Sequence, residues 1–246
     1  MNPEMPLPDP SVSMPTLSII IPSLEPDLEL RRCINSVWLA FGLDKSDRIE
    51  VIVVTPGKHV EATAGQNAGV RVISESHPSI YGAMNDGALA AKGKYLLFLG
   101  KDDILLPYAA EALLLLENEK PDALFCDVYF GKSGIYSGLP SRLRLLVRNL
   151  CHQGIIYSRA TFALHGPYVR RMKVQADHLL NIKVLWHKPG HKIAYLAFPL
   201  VWYSNAGFSL YQRDKVFWRL YPLIIRKYVG LTAAGVLSLY RALRFK

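Results

Sequence analysis

The hydrophobic positions of this chain follow two alternating periods through its first half. Thr16–Ile21 (TLSIII) is a β-branched run closed by Pro22 and Ser23, and it reads as a buried strand. Leu28–Phe41 then carries Leu30, Ile34, Val37, Trp38 and Phe41 at helical spacing, with Arg31, Arg32 and Asn35 off that face. Ile49–Val54 (IEVIVV) predicts a second buried strand, ended by Thr55, Pro56 and Gly57, and Val70–Ser74 (VRVIS) a short third one. Tyr81–Ala91 is Ala-rich and predicts a helix, which Gly82 and Gly87 weaken. The run Tyr95–Gly100 is almost wholly apolar between Lys94 and Lys101, the pattern of a strand buried on both faces. Pro107 then opens a helix to Asn118, and Ala123–Phe130 (ALFCDVYF) predicts a further strand. This alternation means βαβ units: an α/β fold with a mostly parallel sheet, right-handed crossovers and helices on both faces.

After Gly131 the pattern changes. Ser141–Asn149 (SRLRLLVRN) alternates arginine with leucine, which suits an amphipathic basic segment. Gly154–Tyr157 and Ile193–Tyr203 predict strands, and Ala176–His187 (ADHLLNIKVLWH) predicts a helix with its leucines inward. From Phe208 aromatic and basic residues interleave, and the longest uncharged stretch, Tyr228 to Tyr240, is too short to span a bilayer. A basic, aromatic-rimmed C-terminal helix fits the interface plane of a membrane; packing on the domain is the alternative.

Composition sharpens this picture at two points. Cys33, Cys126 and Cys151 sit singly, with no CxxC or ligand spacing, which argues for reduced thiols in a cytosolic compartment and against a disulfide frame or a zinc site. The proline-rich residues 1–15 lack an apolar core and read as a flexible leader. Charge is divided unevenly. Residues 1–128 hold 10 Lys and Arg against 18 Asp and Glu, a balance of −8, and residues 129–246 hold 19 against 2, a balance of +17. A half so poor in acids points to a polyanionic partner: membrane phospholipid, a lipid diphosphate or nucleic acid.

Asp102 and Asp103 follow directly on the most apolar strand, at the carboxyl end where open α/β sheets place their ligands. Two carboxylates there suit a hard divalent cation completed by water and a substrate phosphate, whereas the plainer reading is an Asp-rich turn.

Several stretches in order, IIIPSLEPDLELRRCINSV, IEVIVV, IYGAMNDGALAAKGKYLLFLGKDD and CHQGIIYSR followed by QADHLL, together resemble glycosyltransferase family 2 over roughly residues 16–190. The likeness is closest to bacterial polysaccharide-assembly members. It implies a GT-A fold over 16–205, with a nucleotide-sugar half (16–130) and an acceptor half (131–205), and with 206–246 as basic aromatic helices that could anchor to a membrane. It further implies an inverting hexosyl transfer. The expected donor is a UDP-sugar, with GDP- or dTDP-sugars as alternatives, used with Mn2+ or Mg2+. A lipid-linked or oligosaccharide acceptor, an anionic membrane surface and a peripheral place on the cytoplasmic face of the inner membrane follow, and nucleic acid drops out. By position the resemblance puts Pro22 and Ser23 beside the nucleotide, Glu25 on the nucleoside, Thr55 at the nucleobase end and Asn85 beside the diphosphate. It puts Asp102 on donor and metal, with Asp103 beside it. It makes Asp177 the catalytic base, and His152 and Gln153 the acceptor contacts.

Two positions depart from the family pattern. Gly100 stands where the acidic motif begins, and Thr55 with Pro56 where an acidic pair grips the nucleobase. Lys101 has two readings, a phosphate contact or a solvent-facing side chain. Plainer roles stand beside the site roles: Asp177 as an N-cap, Asn85 as a polar helix residue, and His152 and Gln153 as polar residues at a strand start. His178 is a second candidate base, while His165, His187 and His191 read as ordinary histidines. Nucleotidyl transfer would ask for a Gly-rich basic loop after the first strand, and PSLEPD is not one. A membrane- or polyanion-binding relative impaired in catalysis remains the alternative.

Overall fold

The structure, a computed structural model, describes residues 14–42, 47–66, 69–204, 214–233 and 235. The leader at 1–13 and the tail beyond 235 lie outside the described residues. In chain order the strands are β1 (Leu17–Pro22), β2 (Ile49–Thr55), β3 (Arg71–Ser74), β4 (Tyr95–Phe98), β5 (Ile104–Leu105), β6 (Ala123–Phe130), β7 (Ile135–Tyr136), β8 (Ile155–Ser158) and β9 (Ile193–Tyr203). The α-helices are α1 (Leu28–Phe41), α2 (Val60–Gln66), α3 (Ile80–Ala90), α4 (Ala109–Glu119), α5 (Arg142–Leu145), α6 (Arg159–His165), α7 (Ala176–Leu185) and α8 (Lys215–Tyr228).

One sheet runs β3-β2-β1-β4-β8-β6-β9-β5, with β7 paired to β6. The first four strands in that order are all parallel, as βαβ alternation demands. β8 then lies antiparallel between β4 and β6, whereas β6 and β9 are parallel. Because successive side chains of a strand point to opposite faces, β1 feeds two cores. Ile20 joins Ile52, Phe98, Tyr81, Met84 and the inner faces of α7 and α8. Ile19 and Ile21 join Val51, Val53, Leu97 and the buried faces of α1 and α4. The helices therefore cover both faces.

Gly87 shows why α3 tolerates a poor helix former. A Cβ there would stand 2.3 Å from Ile20 Cγ2, so the glycine lets the helix lie directly on β1. Of the basic stretch 141–149, only Arg142–Leu145 is helical, and Arg144 and Arg148 fold back over the Tyr136 ring at 4.8 and 4.4 Å. Helix α8 begins on an Asp214 cap, and Phe217, Tyr221 and Ile225 are buried in the same core as α7. Its opposite face leaves Leu220 and Leu223 exposed beside Arg219, Arg226 and Lys227. Among the described residues no helix is long and apolar enough to cross a membrane.

Candidate active site

The carboxyl ends of β1, β2 and β4 lie side by side and bring the first-half residues to one rim. Ser23 is buried, donates its hydroxyl to the Glu25 carbonyl at 2.7 Å and its N–H to the Val54 carbonyl, so the turn after β1 is tied to β2. The Glu25 side chain is exposed, and Pro22 is half-buried. At the end of β2, Thr55 is fully buried, and among the described residues its hydroxyl has no hydrogen-bond partner. Such an orphan is uncommon in a folded protein and leaves a polar atom available to a ligand.

The acidic pair has unequal members. Asp103 is fully buried; its Oδ2 accepts from the Gly100 N–H at 2.7 Å, and its Oδ1 has no close hydrogen-bond partner among the described residues, although the Gln153 side chain and the Ser204 N–H lie near the carboxylate. Burial pushes its carboxyl up to about 7 and the adjacent Asp102 adds to the rise, against the Gly100 N–H and the nearby Gln153 side chain. Asp102 is only half-buried and accepts from the Ser204 hydroxyl. Gly100 explains its own departure from the family pattern. A Cβ there would meet Asp103 Oδ2 at 2.8 Å and Asp102 Oδ1 at 2.9 Å, so both carboxylates turn toward the space that a side chain at 100 would fill. A cation fits this donor set. The buried Asp103 and the half-exposed Asp102 each bring an oxygen to the space beside Gly100, and a divalent ion there would relieve the cost of charging Asp103.

Lys101 does not turn to this space. Its ammonium is paired with Asp27, the N-cap of α1, and lies 3.7 Å from Glu29. Asn85 is similarly committed: its amide donates to the Tyr168 carbonyl and accepts from the Tyr168 N–H, both at 2.9 Å. It holds the loop before α7 rather than standing open. That loop carries Arg170 and Arg171, which with His77 and Val169 line a cavity of about 320 Å³. The RR pair stands before QADHLL in the sequence of the basic half and was not singled out there.

Asp177 lies in the first turn of α7 but does not cap it, since the N-cap is Gln175. The carboxylate is buried; Oδ1 accepts from the Tyr81 hydroxyl at 2.8 Å and Oδ2 from the Asn149 amide at 2.6 Å. Asn149 in turn accepts from the Asn181 amide, and Asn181 accepts from the Tyr157 hydroxyl at 2.6 Å. The only other acid of the basic half, Asp214, is the one that caps a helix. His178 is spoken for, because its Nε2–H donates to the Leu145 carbonyl at 2.7 Å and its ring stacks on Phe217. Neither Tyr81 nor Asn149 stood out as a site residue in the sequence.

The short turn His152–Gly154 stands between the two acidic centres. His152 Nδ1 is 3.7 Å from Asp177 Oδ2, its Nε2 is buried without a partner, and burial pulls its imidazole down against the pull of Asp177. Gln153 faces Asp103 and accepts from the Cys151 thiol at 3.0 Å. Burial raises that thiol, and the charges of Asp103 and Asp177 both raise it further, so the two carboxylates flank one turn.

The glycosyl transferase family 2 profile matches residues 18–216. The PGL/p-HBAD biosynthesis glycosyltransferase of Mycobacterium tuberculosis is 32% identical over 230 residues, covering 87% of each chain. The putative glycosyltransferase EpsH of Bacillus subtilis is 24% identical over 46% of this chain and 33% of its own. Among solved structures, S. aureus TarS 1–349 in complex with UDP-GlcNAc superposes with a TM-score of 0.67 over 87% of this chain and 67% of that one, at 14% identity. The mannosyltransferase PcManGT from Pyrobaculum calidifontis, in complex with GDP-Man and Mn2+, superposes with a TM-score of 0.59 over 99% and 85%, at 13% identity. With a matching profile over most of its length and the sheet order just described, the chain belongs to glycosyltransferase family 2, has the GT-A fold, and is a glycosyltransferase.

Proposed function

We propose that this protein is an inverting, cation-assisted glycosyltransferase that moves a sugar from a nucleotide-sugar donor to a lipid-linked or saccharide acceptor. The observation that carries the reading is the pair of carboxylate centres on either side of the His152–Gly154 turn. Asp177 is the base. Each of its oxygens has a second lone-pair site beyond the bonds from Tyr81 and Asn149, so it is oriented and still able to accept a proton. It takes the proton of an acceptor hydroxyl. That oxygen bonds to the anomeric carbon from the face opposite the leaving group, and the bond from that carbon to the diphosphate breaks with both electrons leaving on the diphosphate. Tyr81 and Asn149 are positioning residues. His152 and Gln153 face the acceptor from the turn between the two centres.

Asp102 and Asp103 would hold Mn2+ or Mg2+, which when bound supplies Lewis-acid neutralisation of the leaving diphosphate. Arg170 and Arg171, on the loop held by Asn85, add positive charge for the same leaving group. Pro22, Ser23, Glu25 and Thr55 form the rim for the nucleoside, with the unpartnered Thr55 hydroxyl as its hydrogen-bonding group. A UDP-sugar is the first candidate and a GDP-sugar the second, since TarS and PcManGT were solved with donors of these kinds. The outer face of α8 rests on an anionic membrane, which presents the lipid-linked acceptor to the basic half.

The test is turnover of UDP-, GDP- and dTDP-sugars by purified protein with Mn2+ or Mg2+, alongside calorimetric donor binding. Asp177→Asn should bind donor and fail to turn it over, whereas Asp102→Asn should lose cation-dependent donor binding. Wild-type turnover in both variants would sink the assignment.

A further inference from the structure

Outside the site just described, three histidines gather where α6, α7 and β9 meet. His165 is the last residue of α6, His187 lies just beyond α7, and His191 just before β9. One ring nitrogen of each lies within 4.8 Å of the other two. His165 Nε2 and His191 Nε2 are 2.7 Å apart. His187 stacks on His191 with ring centroids 4.3 Å apart, and the His165 ring stands edge-on to both at 4.9 and 5.0 Å.

The fourth member of the cluster is a carboxylate behind it. His191 Nδ1 is 3.3 Å from Asp122 Oδ2, and the same oxygen accepts from the Lys192 N–H at 2.8 Å, which fixes the carboxylate in place. A proton on Nδ1 directed at Asp122 leaves His191 Nε2 with its lone pair turned inward, toward His165. This carboxylate-to-histidine arrangement is the one by which metal-bound imidazoles are oriented and made more basic. The 2.7 Å contact between the two Nε2 atoms accommodates a single proton. Replacing that proton by an ion with ligands 2.0–2.1 Å away needs the nitrogens to part to roughly 3.3 Å, a shift of a few tenths of an ångström for each ring.

We propose that His165, His187 and His191 form a site for one divalent transition-metal ion of the zinc class, completed by water and oriented by Asp122. The donor set decides the class of ion. Imidazole nitrogens suit Zn2+ and its neighbours, whereas the oxygen donors of Asp102 and Asp103 suit Mg2+ or Mn2+, so the two sites sort different metals. The spacing His187-x3-His191 also falls within the range that paired zinc-binding histidines use. Bound there, the ion ties three elements together. It joins the end of α6 and the start of β9 to the far end of α7, about 15 Å along the helix from the turn that carries Asp177. Its role is to fix the helix of the base, and it takes no part in the transfer itself.

The full-length protein, stripped with a chelator and dialysed, is titrated calorimetrically with Zn2+ and spectroscopically with Co2+. One equivalent of Zn2+ should bind, and Co2+ should give the intense visible bands of tetrahedral nitrogen-rich coordination. His187→Ala and His191→Ala should lose stoichiometric Zn2+ binding, Asp122→Asn should weaken it about 10- to 100-fold, and Asp102→Asn should leave it unchanged. Circular dichroism checks the fold of each variant. A wild type that takes up no stoichiometric Zn2+, a Co2+ spectrum typical of octahedral oxygen ligands, or loss of binding in Asp102→Asn alone would overturn the proposal. The first two readouts use only the wild-type chain and decide the matter even if the histidine variants misfold.

Discussion

Asp103 offers a quantitative handle on the site, because its folded environment favours the acid over the carboxylate. Its carboxyl rises from 3.8 to about 7 through burial first and Asp102 second. A group whose folded pKa is raised contributes stability that is fully present below about pH 4 and is lost as pH rises through about 7. Linkage applied to these two values puts the loss between pH 5 and pH 8 at roughly 2 to 3 kcal/mol. Asp103→Asn mimics the protonated acid: its carbonyl can still accept from the Gly100 N–H, and it has no charge to desolvate. Urea unfolding at pH 5 and at pH 8 should therefore give nearly equal midpoints for wild type and variant at the lower pH. At the higher pH the variant should be more stable by that margin, and subtracting variant from wild type cancels the other titrating groups. Saturating Mn2+ at pH 8 should restore stability to the wild type and not to the variant. A difference between the two proteins that does not change with pH would refute the argument, since it would mean that Asp103 is not held as an acid.

The remaining predictions concern groups with contrasting roles. Asp177→Asn should reduce kcat by about 10² to 10⁴-fold, the span of general acid–base effects, with donor affinity unchanged; a loss of only a few-fold would move the base elsewhere. Lys101→Ala should cost no more than about 1 kcal/mol, because its pair with Asp27 is partly solvent-exposed. It should also leave donor affinity alone, and a tenfold weaker Kd would put Lys101 on the phosphate instead. Gly87→Val should destabilise by about 1 to 3 kcal/mol through overpacking against Ile20, read as a shift in urea midpoint. For the membrane face, Leu220→Ser with Leu223→Ser should reduce sedimentation with phosphatidylserine vesicles without changing Tm, since both side chains are exposed. Equal sedimentation would mean that the outer face of α8 contacts only water.

The first half of the chain was legible because its signals are local. A buried parallel strand needs a continuous aliphatic run, and Ile49–Thr55 and Tyr95–Phe98 supply one each within a residue or two of the expected bounds. The rim follows from that placement, so Ser23, Thr55, Asp102 and Asp103 could be set near one another from topology alone. The second half was legible mainly through its long elements, β9 and α7, while β7 and α6 escaped notice, as β5 did in the first half. Two-residue strands and seven-residue helices leave too few positions for a period to show. Packing also settled what propensity could not. The segment from Phe208 read either as a membrane-surface helix or as one packed on the domain, and within it Phe217 and Tyr221 are almost wholly buried against α7 and the Tyr221 hydroxyl reaches the Leu146 carbonyl.

What no local pattern could reveal is how side chains far apart in sequence are committed to one another. Asn85 and Asp177 each looked open to a ligand, and each had a plainer role beside it. The structure separates them by hydrogen-bond arithmetic. Asn85 has one donor and one acceptor engaged by a single backbone unit 83 residues away, so it acts through the loop it holds. Asp177 receives one bond on each oxygen from Tyr81 and Asn149, which orients the carboxylate and leaves a lone pair on each atom. Among the described residues, the buried polar atoms without a close hydrogen-bond partner include Tyr168 Oη and three others, Thr55 Oγ1, Asp103 Oδ1 and His152 Nε2. All three belong to residues that sequence reasoning had assigned to the site, on the nucleoside, cation and acceptor sides respectively. Leaving such an atom unpaired costs about 1 to 3 kcal/mol, a cost that a polar ligand reaching Thr55 Oγ1, Asp103 Oδ1 or His152 Nε2 would offset.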